Sequence, residues 1–138
     1  MTLAPISIDL QGALPGSPGP EPQTRDSGRL FILRFDAATD EIIHVGFRVT
    51  GYAAGSIKHT IAWGAETATT GNVRWAVRCM AITPETDSAS METGSFATSD
   101  EVTDGHLGTT AERIMTCKIT QSTNLDSLAD GDFVWFEL

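Results

Sequence analysis

The chain has 138 residues, of which 41% are apolar, and a formal net charge of −9. That length fits one domain with one modest core. The acidity excludes a protein built to grip a phosphate backbone or an anionic membrane surface, both of which call for clustered Lys and Arg.

The N-terminus "MTLAPISIDL" has no basic segment leading into an apolar core, so it does not read as a signal peptide and cytoplasmic synthesis is expected. Residues 1–28 hold five of the six prolines, at Pro5, Pro15, Pro18, Pro20 and Pro22. Proline lacks an amide donor and glycine is entropically expensive to order. This stretch is therefore expected as an extended, partly polyproline-like arm, with a domain from residue 29 to 138. At the tip of the arm Leu3, Ile6, Ile8 and Leu10 could insert into a neighbouring surface; the alternative is a disordered terminus.

From Leu30 onward the apolar residues alternate. "LFILRFD" predicts a first strand. "EIIHVGFRVT" predicts a second, with Ile43, Val45, Phe47 and Val49 on one face and Ile42, His44 and Arg48 on the other. "SIKHTIAWGA" gives a third, aligning Ile57, His59, Ile61 and Trp63. "NVRWAVRCMAIT" is the longest, with Val73, Trp75, Val77, Cys79 and Ala81 opposite Arg74, Ala76, Arg78, Met80 and Ile82. "GSFATSDEV" reads as a short, weak fifth strand. "ERIMTCKITQS" is a sixth, grouping Met115, Cys117 and Ile119; "LDSLA" is a candidate for one helical turn. "DFVWFEL" closes the chain as a strand that its apolar run marks as buried on both sides. Period-two alternation places one face on a core and one outward. Such strands, separated by Gly, Asp, Asn and Pro turns without helices, predict an all-β antiparallel β-sandwich or jelly roll.

The strand face carrying Arg74, Arg78 and Met80 is neither core-like nor plainly solvated. Arg and Met favour protein contacts, where their stems bury and their heads pair. Arg48, Arg74 and Arg78 are therefore candidates for meeting carboxylates of another subunit; ordinary intrachain pairs on a solvated face are the alternative.

No chemistry is legible. His44, His59 and His106 lack partners at metal-ligand spacing: His59 is expected in the core, His44 on an outward face and His106 in a loop. No strained serine elbow is present. Asp87, Asp100, Glu101 and Asp104 crowd loops but do not match a calcium loop. Cys79 and Cys117 are expected as buried free thiols, a single disulfide being the alternative. Trp63, Trp75 and Trp135 sit on strands, where core burial is expected. No catalytic residue, metal or cofactor is assigned, and no enzyme activity is expected.

"IAWGAETATTGNVRWAVRCMAITPETD" and "ITQSTNLDSLADGDFVWFEL" together resemble a group of tailed-bacteriophage virion proteins. These carry a Trp-ended strand, an A-T-x-G-x-V-x-W-x-V strand, a variable acidic loop and a closing L-x-x-G-D-x-V-x-F-x-L. The likeness spans Leu30 to Leu138 and is densest at 61–82 and 119–138. It implies a jelly-roll module that assembles as a homotrimer and decorates the capsid, with the major capsid protein as partner and the virion surface as location. A capsid decoration or cement protein is the function expected from it, with no nucleic acid or membrane partner. A receptor- or glycan-binding module of a tail or baseplate is the alternative, and it calls for exposed aromatics in the loops, where Tyr52 and Phe96 are the candidates. Related chains continue past F-x-L with one more strand, so the final strand of the sandwich is expected either to be missing here or to be supplied by the arm or a neighbour.

Overall fold

A computed structural model describes residues 14–25, 30–87 and 93–138. Among these residues the protein is all-β, with no helix and several antiparallel sheets, an arrangement consistent with a β-sandwich. The strands are β1 (Leu14–Pro15), β2 (Glu21–Arg25), β3 (Leu30–Arg34), β4 (Ile43–Arg48), β5 (Ile57–Trp63), β6 (Asn72–Ile82), β7 (Asp100–Gly105), β8 (Met115–Gln121) and β9 (Phe133–Glu137).

Five strands form one sheet in the order β1-β4-β9-β6-β7; β2 pairs with β3 and β5 with β8 in two smaller sheets. The β5–β8 pair shows the alternation most cleanly. Met115, Cys117, Ile119 and Gln121 are buried while Thr116, Lys118 and Thr120 are exposed. Ile119 of β8, with Ile57 and Ile61 of β5, packs in one cluster with Val77, Cys79, Val134 and Phe136 of the five-stranded sheet. Side chains of this kind contribute about 1.5–3 kcal/mol each when removed from water. Gln121, fully buried, donates through Nε2 to the Val77 carbonyl (3.2 Å) and lies 2.7 Å from His59 Nε2, tying the two layers by a satisfied polar link. The His59 ring meets Phe136 edge-on at 4.9 Å, so this histidine does belong to the interlayer packing.

Glycine matters to the frame at one turn in particular. Gly71 has φ 107°, a value closed to most side chains, and it reverses the chain immediately before the 11-residue β6.

Four elements differ from the sequence reading. The segment from Leu14 to Arg25 is not one extended run: β1 lies along β4 and β2 along β3, and the chain bends at Ser17 and Pro18 between them. Prolines 15 and 22 are accommodated because β1 is a sheet edge and a two-stranded sheet has only edge strands, where a missing donor is tolerated. The weak fifth strand lies further along the chain than expected, pairing at Asp100–Gly105, with Ala97 N–H still bonded to the Cys79 carbonyl (2.8 Å). "LDSLA" forms no helical turn: Asp126 and Ser127 adopt positive φ, and the turn closes through Leu128 N–H to the Leu125 carbonyl (3.0 Å). That turn folds Leu125 and Leu128 into the core.

The final strand is the fourth difference. β9 is not at an edge; it lies between β4 and β6, and β1 and β7 bound the sheet. Its inner residues Val134 and Phe136 are buried, but Phe133 is 44% exposed and Trp135 half-buried, so the strand is closed on one face only.

Candidate subunit-contact face

The outward side of the five-stranded sheet is assembled by register. Antiparallel partners share a face, and successive residues along a strand switch faces. His44, Glu137 and Arg78 therefore form one row across β4, β9 and β6; Gly46, Trp135 and Met80 form the next; Arg48, Phe133 and Ile82 the third. Ala76 and Arg74 continue the face along β6 beside Glu101 and Thr103 of β7.

The first row is an ion cluster. Arg78 donates through Nε and Nη2 to Oε1 of Glu137, and His44 Nε2 lies 3.1 Å from Oε2 of the same carboxylate. The Arg78 guanidinium also lies over the Phe96 ring, 5.2 Å from its centroid, and His44 packs 5.8 Å from that ring. Glu137 is 9% exposed, so water screens this pairing less than it would a surface ion pair. The second row is apolar. Trp135 lies across Gly46 so closely that a Cβ there would stand 2.8 Å from the indole; Met80 beside it is buried. Phe133 stacks on Trp135 at 6.4 Å and presents its other side to solvent. Arg48 borders this strip with Nε 3.3 Å from the Gly131 carbonyl.

All three sequence candidates described by the structure, Arg48, Arg74 and Arg78, thus lie on one face. Their heads have in-chain acceptors: Arg74 reaches Glu101 at 3.6 Å across an exposed pair. Leu3, Ile6, Ile8 and Leu10 lie outside the described residues. Sequence reasoning missed Glu137, Trp135, Phe133 and Phe96 as members of this face. The parity of "FVWFEL" held a signal for three of them, since the charged Glu137 marks Phe133 and Trp135 as outward; the contiguous apolar run obscured it. For the same reason Trp135 departs from the expected core burial. Trp75 packs with the core and meets Phe35 edge-on at 5.4 Å, while Trp63 donates to Asp104 at 2.6 Å.

The remaining candidates for chemistry are dispersed or packed. Cys79 and Cys117 are free and buried, and burial pushes the Cys79 thiol up to about 11, with Asp126 and Asp100 adding to it. The Cys117 thiol is raised chiefly by burial as well. Burial lowers the His59 pKa, opposed by its Gln121 hydrogen bond. His106 follows β7, its Nδ1 accepting from the Gly108 amide at 3.0 Å. Among the described residues no group of three His, Cys, Asp or Glu could hold a metal ion. The two loop aromatics are engaged within the chain: Tyr52 donates its hydroxyl to the Gly55 carbonyl (2.6 Å) and packs against the core, and Phe96 supports Arg78.

In comparisons with known proteins, no family profile, no characterised sequence and no solved structure matches this chain.

Proposed function

We propose that this protein is a virion structural protein: a jelly-roll decoration or cement protein that docks on a phage head as a homotrimer and holds neighbouring capsid subunits together. The observation that carries the reading is the outward sheet face. It offers a strip of exposed Phe133 with half-buried Trp135 and Ile82, set beside the buried Met80 and bordered by Arg48 and Arg78, whose heads are already oriented by Gly131 and Glu137. Pre-oriented arginines beside aromatic and methionine side chains are the composition of contact surfaces. Three of the nine Lys and Arg residues gather on this face in a chain of net charge −9. Glu137 and Glu101 on the same face balance Arg78 and Arg74, so the face presents apolar side chains bordered by Arg48, and a sister copy carrying the same strip would complement it. Threefold repetition would then turn modest contacts into avidity without further chemistry. The likeness of 61–82 and 119–138 to phage virion proteins supplies the setting, with the major capsid protein as the partner.

The test has two parts. Light scattering of the purified chain should give the mass of three copies, and a density map of the particle should place it on the head at local threefold positions. A monomeric mass, or density confined to the tail, would sink the decoration role. Reproducible binding on a glycan array would favour a receptor module instead.

A further inference from the structure

The chain's two lysines, Lys58 and Lys118, sit together on a strand face that holds no carboxylate. Ile57 and Ile61 of β5 and Ile119 of β8 turn toward the core cluster, so the residues between them turn away from it. The outward positions are Lys58, Thr60 and Ala62 on β5 and Thr116, Lys118 and Thr120 on β8, and every one is exposed. Register sets Lys58 opposite Thr120 and Thr60 opposite Lys118. The four side chains form a block with the lysines on one diagonal and the threonines on the other. Direct partners in such a block stand about 5 Å apart and diagonal ones about 7–8 Å, within reach of long side chains.

Several arginines are handled differently. Arg34, Arg74 and Arg78 pair with Glu66, Glu101 and Glu137. Among the described residues neither lysine side chain has an ion pair or a hydrogen bond. Two like charges one diagonal apart repel. A chain with 18 Asp and Glu residues nonetheless places none of them on this face. The positive charge is left for something outside the fold.

We propose that the outward face of β5 and β8 is a second docking surface, which takes an acidic segment of a partner protein with a carboxylate seated between Lys58 and Lys118. Each ammonium carries three donors on a flexible stem, so both can converge on one carboxylate. The hydroxyls of Thr60 and Thr120 supply further donors at its sides. A nucleic acid fits less well: two cations release few counterions, and a net charge of −9 repels a continuous row of phosphates. Repulsion from scattered carboxylates is screened beyond about 8 Å at physiological salt, which leaves the local contact to decide. A second copy meeting this face with its own would set lysine against lysine. The core lies between this face and the Phe133 strip, so occupying one leaves the other open. The docking does not depend on the virion role, and its failure would leave that role untouched.

Titration of the full chain with an oligoglutamate peptide at low salt, followed by amide chemical shifts, tests the surface. Saturable shifts should be confined to residues 57–63 and 115–121, and affinity should fall as salt is raised. Lys58→Gln with Lys118→Gln should weaken binding at least about threefold, with shifts elsewhere showing an intact fold. Thr120→Glu sets a carboxylate opposite Lys58 within the chain and should abolish binding. No saturable shift would leave the lysines as a solvated guard of a two-stranded sheet and overturn the proposal. So would binding that survives both sets of substitutions, equal shifts from inorganic phosphate alone, or tighter binding of a single-stranded oligonucleotide of the same charge.

Discussion

The two faces of the central sheet are built from the same strands and obey different rules. On the inner face Val77, Cys79, Val134 and Phe136 meet the β5–β8 layer, and the side chains are aliphatic, aromatic or thiol. On the outer face the same three strands alternate an ion cluster with an aromatic strip and leave Phe133 partly in water. The inner face loses free energy whenever a group is removed, because a void has no contacts to replace those lost. At its exposed positions, such as Phe133, the outer face can lose a group with little cost to folding, since water takes its place. Stability and recognition are thereby separated across one sheet thickness, and mutations on opposite faces of β9 should behave differently although the residues are neighbours in sequence.

The largest effect is expected at Phe136, which packs against Phe47 and His59. Phe136→Ala should lower unfolding free energy by about 3–5 kcal/mol in urea titrations. A loss below about 1 kcal/mol would break the distinction between the faces. Gly46→Ala probes the one place where the outer face is as crowded as the inner. The new Cβ would meet Trp135 at 2.8 Å, so a loss of about 1–3 kcal/mol and a shift in tryptophan emission are expected.

An intermediate effect concerns pH. The His59 pKa in the folded protein lies below the unfolded value of 6.5 because burial disfavours the imidazolium. Below that value the unfolded chain binds more protons, so stability falls as pH drops through 6.5 and stops falling once the folded group titrates. His59→Gln should flatten the slope of stability between pH 7 and pH 5 by at most about 1.4 kcal/mol per unit. An unchanged slope would remove His59 from the interlayer packing. The smallest effect on folding is expected at Phe133: Phe133→Ser should change stability by less than about 0.5 kcal/mol while dissociating the proposed trimer in light scattering. If assembly survives, the outer strip is not the contact.

Most strands were legible because side-chain parity is a local property. Ile57 to Trp63 and Met115 to Gln121 show which residues share a face without any knowledge of the partner strand. Arg74 and Arg78 were legible as one strand face for the same reason, whereas Arg48 joins them only through the pairing of β4 and β6 with β9. Parity failed where it was masked. In "FVWFEL" apolar residues occupy both faces, and the open side at Phe133 was lost in the run. It was silent for Leu125 and Leu128, which enter the core from a turn whose two left-handed residues follow no period. The proline-rich segment was read as an extended arm because proline cannot serve in a central strand; an edge position makes it acceptable in the strands at 14–15 and 21–25, and whether a strand lies at an edge is not a local property.

Composition and alternation by themselves determined an acidic, all-β chain, the approximate strands and the residues on each face, since each depends only on near neighbours. Pairing was decided by the tertiary structure alone. The insertion of β9 between β4 and β6, the Glu137 bridge from His44 to Arg78, and the Gln121 link between layers join residues 44 to 93 positions apart. Those contacts form only when the whole chain closes on one core, and no short window of sequence encodes which distant strand a given edge will meet.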